Sequence, residues 1–109
     1  MTRTELGKIS YIALGYGGYQ DAMIGLTVCL EGKGWGTNDF IGTWAGKRSE
    51  GAKWTEQDRD TTFAGIIHKV ETLLKQTKVQ SLERLNGKPV ECTFDDQRLV
   101  SWRILEEVL

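Results

Sequence analysis

Catalysis in this chain would have to be built from one histidine, two cysteines and two close pairs of carboxylates. His68 lies within an amphipathic stretch. At 100° per residue it falls about 160° from the centre of the apolar stripe, so it faces solvent or a partner. With no second histidine, zinc ligation by imidazoles has no material, and a Ser/His/Asp relay would have to stand on the polar face of a helix. Cys29 and Cys92 are far apart, lack metal or redox spacing, and have no recognisable cation nearby to lower a thiol pKa. Both read as reduced, small core hydrophobes. Asp58 with Asp60, and Asp95 with Asp96, could hold Mg²⁺ or work on a glycosidic bond. The first pair opens a helix, where the dipole favours acids, and the second occupies a turn that favours Asp. No catalytic residue, metal site or cofactor is therefore expected.

Binding chemistry has more material. Ten of the thirteen glycines fall between Gly15 and Gly51, with seven of the ten aromatics in the same territory or at its edges. Gly15-Tyr16-Gly17-Gly18-Tyr19-Gln20 is neither G-x-G-x-x-G before a helix nor a P-loop, because no Gly-Lys-Ser/Thr follows. Its backbone amides could still hold a phosphate while Tyr16 and Tyr19 stack on a base, with Gly17, Gly18 and Gln20 in the contact. The competing explanation is a glycine-rich hairpin loop whose aromatics fold over the core edge. Lys33 and Trp35, in the turn Gly32 to Gly36, carry the same two readings. Arg48 and Trp54, with Lys47, Lys53 and Arg59 around them, mix cations with an aromatic in the manner of an anion patch, although Glu50, Glu56 and Asp58 dilute it.

These residues need elements to position them. A first strand is expected over roughly Lys8 to Leu14, apolar on both faces. The second alternates most clearly, with Ile24, Leu26, Val28 and Leu30 on one side. A third runs from Thr37 to Trp44, followed by a polar loop, Ala45 to Lys53. Thr55 and Asp58 form a capping box, after which Phe63, Ile66, Ile67, Val70, Leu73 and Leu74 recur at helical spacing within about 120° of the circumference. Burying all six would supply roughly 10 kcal/mol before entropy is subtracted. Ser81 is expected to cap a short turn burying Leu82 and Leu85. A strand from Pro89 carries Val90, Cys92 and Phe94 inward, and a last strand places Val100, Trp102 and Ile104 on one face. The fold class is α+β: a five-stranded antiparallel sheet or partly closed OB-like barrel with one long helix, in the order β-β-β-α-β-β.

The 109 residues, 39% apolar and 27% charged, describe a single globular domain over residues 1–109. Net charge −1 gives no global attraction to nucleic acid or to an anionic membrane. No apolar run is long enough for a spanning helix or the core of a leader, so a cytoplasmic location is expected.

The stretch Gly15-Tyr16-Gly17-Gly18-Tyr19-Gln20-Asp21-Ala22…Gly25-Leu26 and the ending Leu85-Asn86-Gly87-Lys88-Pro89-Val90-Glu91…Ser101-Trp102-Arg103-Ile104-Leu105 resemble small bacteriophage- and prophage-encoded proteins with no named activity. The resemblance implies a bacterial host cell. From it follows the expectation of a non-enzymatic inhibitor of a host component. Such an inhibitor would either hold a nucleotide-like small molecule at a subunit interface or cover a host protein, as an anti-CRISPR protein covers its effector. The alternative is an OB-like single-stranded nucleic-acid-binding protein of phage DNA metabolism. A homo-oligomer is compatible with either.

Overall fold

A computed structural model describes all 109 residues. Five antiparallel strands form one sheet, in the spatial order β3-β2-β1-β4-β5. They are β1 (Thr2–Gly17), β2 (Met23–Gly32), β3 (Trp35–Trp44), β4 (Pro89–Asp95) and β5 (Arg98–Ile104). One helix, α1 (Glu56–Thr77), sits between β3 and β4 in sequence. No helix is long and apolar enough to cross a membrane.

β1 is much longer than its apolar run suggested, because its two halves serve different partners. Its first half, Thr2 to Lys8, pairs with β4, and Gly7 to Gly17 pairs with β2. Within the second half the register slips at Ser10, where Ile9 pairs with Leu30 but Tyr11 already pairs with Cys29. A bulge of this kind bends a strand and resets which side chains point inward. It puts Ile9 and Ile12, three residues apart, into the same core. The strand is therefore not apolar on two faces; it carries one apolar face with a one-residue correction.

The inner face joins Ile9, Ile12, Leu26, Val28, Leu30, Val90, Cys92, Phe94 and Ile104 to Ile66 and Leu73 of α1. The curled sheet does not close by backbone pairing. Its two edges, β3 and β5, are instead linked by the Trp102 indole, which donates to Asp39 Oδ2 at 3.0 Å. Lys69 of α1 covers the same indole with its ammonium 4.7 Å from the ring centre.

Helix α1 begins as its capping box requires: Thr55 Oγ1 accepts from the Asp58 amide at 3.0 Å, and Asp58 Oδ2 accepts from the Thr55 amide at 2.8 Å. Its apolar stripe is wider than what covers it. Ile66 and Leu73 are buried and Val70 and Leu74 pack against the core, but Phe63 and Ile67 stay exposed. Two further expectations need correcting. Ser81 makes no side-chain cap to the turn Leu82–Leu85. Val100 falls at a slip in the β4–β5 register and is exposed, away from the face of Trp102 and Ile104.

On the outer face of the β1–β2–β3 half, in-register rows cross the sheet: Tyr11–Cys29–Asn38, Ala13–Thr27–Phe40, Gly15–Gly25–Gly42 and Gly17–Met23–Trp44. Cys29 thus lies on this outer face and not in the core, while Cys92 is fully buried and desolvation pushes its thiol up to about 11.

Candidate functional site

The β1–β2 connection is the most unusual piece of backbone. Gly18, Gln20 and Asp21 all have positive φ, at 68°, 53° and 55°. For Gln20, which has no glycine-like freedom, this conformation costs on the order of 1 kcal/mol. The loop is held by its own amides, since Asp21 N donates to Gly18 O at 3.3 Å and Ala22 N to Tyr19 O at 3.0 Å. Gly18 could not be replaced cheaply, because a Cβ there would meet the Met23 sulfur at 2.7 Å and the Phe40 ring at 3.0 Å. The turn therefore sets Gly17 and Gly18 close against the Phe40 ring and turns its aromatics outward. Tyr16 is 74% exposed and Tyr19 67%.

Tyr16 shares the inner-face side of β1 with Leu14, because it pairs directly with Ile24 two residues before Leu26. Beyond Leu26 the helix does not reach far enough to cover this side. What remains is an open apolar hollow of about 210 Å³, lined by Leu14, Ile24, Gly25, Phe63, Ile66 and Ile67. Phe63 and Ile67 were read from sequence as core, and their role here was missed: periodicity gives the direction of a helix stripe but not the extent of the sheet beneath it.

Arg48 and Trp54 come together at the same end of the molecule, with a role in holding the loop after β3. Arg48 donates through Nε to Trp54 O at 2.6 Å and through Nη2 to Ala52 O at 2.8 Å. Arg59 stacks 4.8 Å over the Trp54 ring and donates to the carbonyls of Trp44 and Gly46. These guanidinium donors are engaged by loop carbonyls, which cannot also be exchanged for a phosphate without loosening the loop. The loop is joined to the β1–β2 turn by the Ala45 amide, which donates to Ala22 O at 3.0 Å.

Lys33 and Trp35 lie at the opposite end of the β2–β3 hairpin. The Trp35 ring turns inward over Gly7 and Gly32 and meets Phe94 edge-on, with ring centres 5.3 Å apart. Its Nε1 is buried without a hydrogen-bond partner. So the structure gathers Tyr16, Gly17, Gly18, Tyr19 and Gln20 at one end with Arg48 and Trp54, and separates them from Lys33 and Trp35. His68 is exposed on the helix, and no three His, Cys, Asp or Glu side chains come together to hold a metal ion. No protein-family model, curated protein or solved structure matches this chain.

Proposed function

We propose that this chain is a non-enzymatic binding protein that inhibits a host component by covering a protein target. The observation that carries this reading is the apolar surface at one end of the molecule. Leu14, Tyr16, Phe63 and Ile67 are 47%, 74%, 38% and 59% exposed around the hollow. Contiguous apolar surface of this kind marks interaction sites, and aromatic anchors carry much of the binding energy at protein interfaces. The hollow is below the roughly 300 Å³ at which small-molecule pockets begin, and its lining has no side chain that could read a base or a phosphate. This favours the protein-covering version over the one that holds a nucleotide-like ligand. The phage-like sequence pattern supplies the context: the target belongs to the host, with a defence effector such as a CRISPR nuclease as the leading class.

Capture from bacterial lysate is compared for the wild-type chain and a Tyr16→Ala/Ile67→Asp double variant. A host protein held by the wild type and lost by the variant, at unchanged thermal midpoint, is expected. Undiminished capture by the variant refutes the surface. A native mass spectrum with an added few hundred daltons per chain returns the small-molecule version.

The strand order and the helix between β3 and β4 favour a second reading, single-stranded nucleic-acid binding on an OB-like scaffold. Against it, the outer face of β1–β2–β3 carries a single cation, Lys8 at its margin, already paired with Glu31, so nothing there tracks a phosphate backbone. Oligonucleotide binding that weakens steeply with salt would restore it.

A further inference from the structure

We propose that the outer face of the β1–β2–β3 half is a docking surface for a second copy of this chain, packed sheet against sheet about a two-fold axis. The functional reading above uses the inner-face side of β1 together with the helix, so the two surfaces are distinct.

Charge is the first argument. The four in-register rows on this face contain no Asp, Glu, Lys or Arg at any of their positions. The outer face of the other half differs: Arg103 pairs there with Glu91 at 3.1 Å and with Glu107 at 2.9 Å. Lys8 and Glu31 pair at 3.6 Å along the margin between the two halves. A surface without charge leaves charged partners unpaired and desolvated, so it matches a surface that is also uncharged. On this chain that match is the same face of another copy, which is the isologous arrangement a two-fold axis generates.

Area is the second argument. The chain exposes 7415 Å², whereas a compact monomer of 12.3 kDa exposes about 6100 Å². The surplus of roughly 1300 Å², taken over the whole chain, is large enough to include the ~800 Å² that each partner contributes to a standard interface. The radius of gyration agrees, at 15.2 Å against the ~13 Å expected for 109 residues.

Relief is the third. The Phe40 ring forms a ridge over Gly42 that reaches Gly17, whereas Gly15 beside it leaves a gap in which a Cβ would meet nothing. Facing sheets pack about 10 Å apart when side chains of one enter gaps of the other. A two-fold lets each copy's Phe40 ridge enter the gap at the other's Gly15.

The test is sedimentation velocity on the full chain from about 5 to about 500 μM, a range set by interfaces of ordinary to weak affinity. A Cβ at Gly15 meets nothing within 4 Å in a single copy. Gly15→Lys therefore leaves the monomer intact and fills the gap; Thr27→Glu adds a charge to the same face and decides the matter should the first variant fold poorly. The expected result is a concentration-dependent dimer for the wild type, weakened about tenfold or more by either substitution with circular dichroism unchanged. A wild type that stays monomeric throughout overturns the proposal, as does a dimer that both variants leave intact. Neither substitution touches Tyr16 or Ile67, so the capture experiment fails or succeeds independently.

Discussion

Replacing Trp102 by Phe would test whether a single side-chain bridge holds the sheet edges together. The phenyl ring keeps a face for Lys69, whose ammonium lies 4.7 Å from the indole centre, but it removes the N–H that donates to Asp39 at 3.0 Å. A hydrogen bond to a charged acceptor contributes about 1.5–3 kcal/mol, and the lower end applies because both groups are only partly buried. The entropy of unfolding for 109 residues is about 230 cal/mol/K, so 1.5 kcal/mol lowers the melting temperature by about 6 °C. Thermal and urea denaturation followed by circular dichroism read this shift directly. A double-mutant cycle with Asp39→Ala then separates the pair from its surroundings. A coupling near 1 kcal/mol is expected, whereas effects that add within about 0.3 kcal/mol would refute the bridge.

Thr55→Ala removes the acceptor for the Asp58 amide and is expected to cost about 1 kcal/mol, a drop of about 4 °C, with Thr55→Ser restoring most of it. A thiol reagent at pH 8 should modify Cys29 in the folded protein and Cys92 only after unfolding, because burial holds Cys92 near 11; peptide mass mapping that finds Cys92 labelled first would contradict the packing. Arg103 holds the Glu107 carboxyl down to about 2, so carbon-detected NMR should find it ionised through pH 3. Because this folded pKa is depressed, the contribution of the pair is full above pH ~4.5 and lost as pH falls toward 2; a midpoint near the ordinary Glu value would remove the pair from the account. Gly7→Ala should destabilise strongly, since a Cβ there would press against the Glu31 carbonyl oxygen and into the Trp35 ring at 2.8 Å; a melting temperature within about 2 °C of wild type would show that both the strand and the ring yield freely.

The parts of the fold that could be read in the sequence are those set by neighbours along the chain. Thr55 and Asp58 name each other as caps three residues apart, and the alternation from Ile24 to Leu30 marks one face of β2 without help from other strands. The bulge at Ser10 has no such local signature, because it exists only in the pairing of β1 with β2. The candidate site divides along the same line. Exposed Tyr16 and Tyr19 follow from glycine-rich turn chemistry, whereas Phe63 and Ile67 were unreadable as surface because helical spacing assigns them to the same stripe as Ile66 and Leu73. Trp35, sought in a turn, packs inward over Gly32, its cross-strand partner, and over Gly7, which is remote in sequence. Arg48 and Arg59 reveal their use only once the carbonyls of Trp54, Ala52, Trp44 and Gly46 are placed around them.

The division of β1 between two partners also sets a timetable for synthesis. Its second half can zip onto β2 as soon as the hairpin has emerged, whereas Thr2 to Lys8 pair with residues from Pro89 to Asp95. At about 5–20 residues per second, the leading segment of the chain waits roughly 4–16 s on the ribosome for its mate. Through that interval it is an unpaired strand edge, the kind of template on which nascent chains aggregate. Arg3, Glu5 and Lys8 stand at intervals along it, so the charges that later form pairs with Glu31 and with each other serve first as gatekeepers of an unfinished strand. Neutralising all three would thus harm soluble yield from translation more than it harms the melting temperature of protein that has already folded.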